Sequence, residues 1–182
     1  MTEAPFPAQR IDLGRIDRAK ADLTLGALPE AEAERLGVVF AGIEPWSKYP
    51  YPASDLARYF ASKESGAPRF AAALDGEICG VLGLRLNWLR GPYIQFLGVL
   101  PSHQRLGLGA ALLRYVEQQA QSIRERNVFV CVSDFNADAI RFYERNAFKR
   151  VAAIDGLVRD ARTEILMRKQ LGNWFPNIPA ER

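Results

Sequence analysis

The segment Tyr93-Ile94-Gln95-Phe96-Leu97-Gly98-Val99-Leu100-Pro101-Ser102-His103-Gln104-Arg105-Leu106-Gly107-Leu108-Gly109-Ala110 decides how this chain is read. Tyr93 to Val99 is a short apolar, strand-like run, and Leu100 to His103 make a turn. The glycines at 107 and 109 run straight into Ala111-Leu112-Leu113-Arg114-Tyr115-Val116, which opens a helix. A helix start carries backbone N–H groups without intrahelical partners and a partial positive charge. Glycines just before it let an anion approach those groups, and phosphate is the usual anion. The order strand, glycine turn, helix therefore predicts a pyrophosphate cradle.

Other readings of the two glycines are weaker. A tight turn needing glycine for its backbone angles is the bland one. A P-loop is excluded because no Lys-[Ser/Thr] follows. A dinucleotide-binding turn places a third glycine where this chain has Leu112, and it follows its strand directly, whereas Leu100 to Leu106 intervene here.

Gln104-Arg105-Leu106-Gly107-Leu108-Gly109 resembles the Gln/Arg-x-x-Gly-x-Gly/Ala signature of the GNAT superfamily, the acyl-CoA-dependent N-acyltransferases. Downstream, Asn136-Ala137-Asp138-Ala139-Ile140-Arg141-Phe142-Tyr143 is similar to that superfamily's Asn-x-x-Ala-x-x-x-Tyr segment. The resemblance spans roughly Arg69 to Lys169. It implies an α/β fold, a mixed and largely antiparallel sheet with helices on both faces. Strands 93–99 and 128–132 splay apart to admit the pantetheine arm of acetyl-CoA.

The resemblance also implies site residues. Backbone N–H groups of Arg105, Leu106, Gly107, Leu108, Gly109 and Ala110 hold the pyrophosphate, assisted by the side chains of Gln104 and Arg105. Leu97, Gly98 and Val99 border the thioester and pantetheine, Leu97 and Val99 through their backbone groups. Asn136 is shared between capping its helix and touching the pantetheine arm. Tyr143 donates a proton to the leaving thiolate. Trp46, Tyr49 and Tyr51 line the acceptor mouth, or form an aromatic cluster at the core edge. Many relatives carry a carboxylate base on the strand before the glycines. Here alternation puts Tyr93, Gln95 and Leu97 on one face, and none ionises usefully near neutral pH. Glu44 and Asp134 are the nearest carboxylates by sequence, and neither is compelling. His103 reads as a solvated loop residue.

Composition narrows the rest. A chain of 182 residues, 48% apolar and 25% charged, suits one globular domain with a real core. No apolar run reaches membrane-spanning length, and Met1-Thr2-Glu3-Ala4-Pro5 lacks a leader's basic and apolar regions. Cys79 and Cys131 read as core residues of a reduced, cytoplasmic protein. A single histidine leaves no plausible metal cluster. A net charge of +3 without a basic stripe argues against nucleic acid and suits a polyanionic cofactor.

Along the chain, residues 1–20 hold no clear period and are expected as an irregular arm, followed by one acetyltransferase domain over 21–170. Pro29 opens a first helix that Glu44-Pro45-Trp46 stops, and Ser54 or Asp55 caps a second. Asp75-Gly76 is a hairpin turn. A helix from about Gly107 to Arg126 precedes the apolar strand 128–132. Asn146 is expected to end the next helix in a left-handed conformation, since the superfamily's glycine is replaced here by Ala147. The tail 171–182 docks on the domain or on a second copy in a homodimer. The expected activity is transfer of acetyl from acetyl-CoA to an amine, of a small molecule or a protein, without metal, nucleic acid or membrane. A non-catalytic acyl-CoA-binding module is the alternative.

Overall fold

Successive strands pair antiparallel through the first half of the chain, joined by short turns except between the second and third, where two helices intervene. The computed structural model describes residue 6, residues 10–49 and residues 51–172. Five strands follow one another in pairing order: β1 (Ile11–Ile16), β2 (Ala21–Ala27), β3 (Arg69–Leu74), β4 (Glu77–Arg85) and β5 (Tyr93–Val99). The β3–β4 hairpin turns on Asp75 and Gly76, both at positive φ (45° and 92°), as an Asp-Gly turn requires. Residues 11–16 fall within the arm expected to be irregular, yet they pair with β2 as an edge strand. Their alternation is hidden by Gly14, at φ 86°, and by a register shift between Asp12 and Arg15.

The chain then crosses over through α3 (Leu108–Ser122) to β6 (Asn127–Ser133), which runs parallel to β5. After α4 (Ala137–Arg145), β7 (Lys149–Asp155) and β8 (Thr163–Gln170) complete an eight-stranded sheet in the order β1-β2-β3-β4-β5-β6-β8-β7. Neighbouring residues of β4 divide the core. Leu82 and Leu84 pack with Leu112, Val116 and Ile140 of α3 and α4. Val81 faces the other way, into Leu36, Phe40, Leu56 and Phe60 of α1 (Ala33–Ala41) and α2 (Ala53–Ala61). Helices thus cover both faces of a mostly antiparallel sheet.

Helix ends differ from expectation in small, explicable ways. Pro29 precedes a 3-10 turn, Glu30–Glu32, and α1 proper ends at Gly42, before Pro45. Pro52 holds the N-cap position of α2 with no side-chain cap, and Asp55 pairs instead with Arg58 one turn on. The third helix, α3, stops at Ser122, so residues 124–126 form its exit. The left-handed residue after α4 is Ala147 (φ 66°), not Asn146 (φ −95°), whose side-chain amide donates to the Phe142 carbonyl. The tail from 173 to 182, with its expected docking, lies outside the described residues.

Candidate active site

Two adjacent strands that part company create the site. The parallel strands β5 and β6 pair only at Tyr93↔Phe129 and Ile94↔Val130. Immediately after, β5 is bulged. Gly83 of β4 faces Phe96, the next residue Leu84 faces Ile94, and Gln95 is the extra residue. A bulge bends its strand and leaves one residue outside the ladder. It also breaks the alternation, so Tyr93, Gln95 and Leu97 do not share a face, contrary to expectation. Phe96 belongs to the α1–α2 core, while Leu97 packs against the α3–α4 core.

Beyond the bulge, the free edge of β5 can be read from hydrogen bonds. The Leu100 N–H donates to the Cys79 carbonyl of β4 at 2.8 Å. Strand alternation therefore turns the N–H and C=O of Gly98 toward β4 and those of Leu97 and Val99 toward the gap beside β6. The Gln104 Nε2 group donates to the Val99 carbonyl at 3.2 Å. This side chain, expected to assist a phosphate, instead ties the loop to the end of β5. Leu97 thus presents an unshared amide to the fork.

The glycine turn leads to α3. Gly107, at φ 95°, holds its N-cap position, and the Ala111 N–H makes the first helical bond, to the Gly107 carbonyl. Among the described residues no hydrogen bond uses the N–H of Arg105, Leu106, Gly107, Leu108, Gly109 or Ala110. A Cβ added at Gly107 would meet nothing within 4 Å, while one at Gly109 would come to 3.1 Å of the Phe142 ring. Free amides at the positive end of a helix fit a diphosphate.

A cavity of about 640 Å³ runs through the fork and draws residues from both faces of the sheet. Trp46, Tyr49, Tyr51, Tyr59, Tyr93 and Phe96 wall its α1–α2 side, and Trp46 stacks on Phe96 at 4.4 Å between centroids. Leu97, Asn136, Ala139 and Tyr143 reach it from the other side. The Asn136 side chain accepts from the Ala139 N–H at 3.1 Å and so caps α4. Tyr143 is buried, its ring against Phe142 and Phe148, and its hydroxyl makes no hydrogen bond among the described residues. Burial pushes its pKa well above the ordinary phenol value. The phenol therefore stays protonated at neutral pH.

The cavity also holds a carboxylate that motif reading missed. Glu164 of β8 lies opposite Ser133 of β6 and is only 4% exposed. The Tyr49 hydroxyl donates to one of its oxygens and also contacts the Ser133 hydroxyl. The Tyr49 pKa is pushed up to about 12, first by burial and then by Glu164. The phenol of Tyr93 is raised as well, by burial, by the adjacent Cys131 and by Glu164. Glu44 is exposed and bound to Lys48 at 2.9 Å, and neither it nor Asp134 lines the cavity.

Residues 30–148 match the model of the GNAT acetyltransferase family. The chain belongs to that family. It is an acetyltransferase, and the family generally uses acetyl-CoA. Among curated proteins it is similar to an N-alpha-acetyltransferase of Sulfurisphaera tokodaii, 27% identical over 121 residues, 60% of this chain and 72% of the relative. The E. coli ribosomal-protein-S18-alanine N-acetyltransferase superposes with a TM-score of 0.67 at 18% identity, over 86% of this chain and 98% of that one. An uncharacterised Bacillus halodurans protein gives 0.72 at 13% identity, over 90% and 91%. These structural likenesses show the shared fold. Among the described residues of this GNAT protein, no group of His, Cys, Asp and Glu is arranged to hold a metal, and no helix is long and apolar enough to cross a membrane.

The structure brings Trp46, Tyr49, Tyr93, Gln95, Leu97, Asn136 and Tyr143 to one cavity. Glu164 was invisible to sequence reasoning because it is distant from both motifs and reaches the site only through the β6–β8 pairing. The one local signal is a lone acidic residue beginning the apolar run Ile165-Leu166-Met167.

Proposed function

We propose that the diphosphate of acetyl-CoA rests on the amides of Arg105 to Ala110, and that its thioester enters the fork beside the Leu97 N–H to meet a primary amine in the cavity. The observation that carries this reading is the fork: a free β5 edge and Tyr143, whose hydroxyl is unbonded among the described residues, border its cavity, and the loop that follows β5, outside the cavity lining, carries six consecutive amides with no partner among the described residues. The co-substrate supplies an activated acyl carbon. The Leu97 amide is a fixed dipole for the negative charge that develops on the acyl oxygen; losing such a donor costs about 10²–10³ in rate. Tyr143 gives its proton to the departing sulfur. Gln104 holds the loop against β5, which keeps the amides and the fork in register.

Tyr49 spans from the segment after α1 to β6 and β8 and narrows the cavity on that side. This favours a compact amine over a peptide lying along the sheet. Similarity to the archaeal N-alpha-acetyltransferases supports a second reading, in which the terminal residue of a protein enters the same cavity. The two free thiols support a reducing, cytoplasmic setting. A screen of small amines and N-terminal peptides with acetyl-CoA, followed by thiol detection, tests the proposal. Amine-dependent thiol release is expected, and none across the whole panel would refute it.

A further inference from the structure

Glu164 is a carboxylate buried to 4% exposure without a cation. Among the described residues no Lys, Arg or His lies within ion-pair distance of it. Its neighbours are Tyr49 from the segment after α1, Tyr93 from β5, and Cys131 and Ser133 from β6; none carries positive charge. Asp55, the other carboxylate lining the cavity, is already paired with Arg58. A buried charge is costly unless it is paired and hydrogen-bonded. Here the Tyr49 hydroxyl satisfies one oxygen, and the walls around the site are the rings of Trp46, Tyr49, Tyr51, Tyr59 and Tyr93. Aromatic faces and a carboxylate together favour an organic cation.

We infer that Glu164 is the acceptor site: it pairs with the ammonium of an incoming primary alkylamine with an apolar or aromatic body, and takes its proton. The inference rests on the acetyl-transfer reading above. The β5 residues that line the cavity, Tyr93 to Leu97, include no carboxylate, and Glu164 supplies one from β8. The step balances. Glu164 accepts one proton from the ammonium, and the freed lone pair forms the C–N bond with the acyl carbon. The C–S bond breaks, and the sulfur takes the Tyr143 proton. The second nitrogen proton restores Tyr143, and Glu164 returns its own to solvent. A cationic amine and acetyl-CoA thus give an amide, CoA thiol and one proton. Leu157 and Val158, exposed on the β7–β8 loop yet lining the cavity, extend the apolar wall that the amine's body would touch.

The test compares phenethylamine, cationic at neutral pH, with aniline, which is neutral there. For Glu164→Gln, kcat/KM with phenethylamine should fall by about 10²–10⁴. With aniline it should fall by less than about tenfold, because no ammonium needs deprotonation. Acetyl-CoA affinity should be unchanged, and Glu164→Asp should recover part of the lost rate. Equal losses on both amines, or none, would overturn the assignment. A binding arm uses the unmutated protein with CoA, so it depends neither on the variant's folding nor on turnover. Calorimetry should show phenethylamine binding at least about tenfold tighter than 2-phenylethanol, which has the same body without the charge. Equal affinity, or no binding of either, would overturn the ammonium site. Absence of thiol release with every amine would instead strike the acetyl-transfer reading.

Discussion

Replacing Tyr143 by phenylalanine separates chemistry from packing. The ring is held by edge contacts to Phe142 and Phe148, at 5.1 and 5.2 Å between centroids, and phenylalanine keeps both. The hydroxyl has no partner among the described residues, so its removal orphans nothing. Stability should therefore change by less than about 1 kcal/mol. Catalysis should change far more. Burial holds the phenol protonated at neutral pH, and a positioned proton donor contributes about 10²–10⁴ in rate, or about 2.7–5.4 kcal/mol of barrier. If the hydroxyl acts on the leaving sulfur as proposed, kcat should fall while acetyl-CoA affinity holds. Steady-state thiol release gives the first quantity and calorimetry the second. Turnover equal to the parent would refute the role of Tyr143, and a rate loss matched by an equal loss of stability would reduce it to a packing residue.

Two further predictions follow from backbone and burial. Ala147 sits at φ 66°, a conformation that costs a residue with a Cβ about 1–2 kcal/mol, so Ala147→Gly should raise the urea midpoint by about 1 kcal/mol of stability with kcat unchanged; a lower midpoint would contradict it. Burial raises the pKa of Tyr49, Tyr59 and Tyr115 to about 12, and those of Tyr93 and Tyr143 still further. The unfolded chain loses these protons near pH 10, and the folded chain keeps them to about pH 12, so the stabilisation is complete below pH 10 and is lost as pH climbs through 12. Ultraviolet titration should show these five phenols ionising late in the native protein and at the ordinary value in urea. Coincident titrations would contradict the burial described here.

Much of the fold was legible because its periods are local. Asp75-Gly76 marks the hairpin, the continuous run Val128 to Val132 marks a covered strand, and Asn136 marks a helix start. Both motifs of the site were read from short spacing, since the glycine turn and the α4 tyrosine are each set by consecutive residues. What sequence could not show depends on tertiary pairing. The bulge at Gln95 leaves no turn residue to announce it, yet it reverses the face of every residue before it relative to Leu97. Gly14 and the register shift beside it hid β1 by breaking its alternation. Glu164 enters the cavity because β8 lies beside β6, a partnership made across thirty residues of intervening chain.

The proposed chemistry depends on the amides from Arg105 to Ala110 gripping the diphosphate of CoA. Calorimetry of the purified protein with acetyl-CoA and with S-acetylpantetheine, which carries the thioester without the diphosphate, tests it most directly. Saturable binding of acetyl-CoA, with acetylpantetheine weaker by about tenfold or more, is the predicted result. Equal affinity for the two, or no heat with acetyl-CoA at about millimolar concentration, would contradict it.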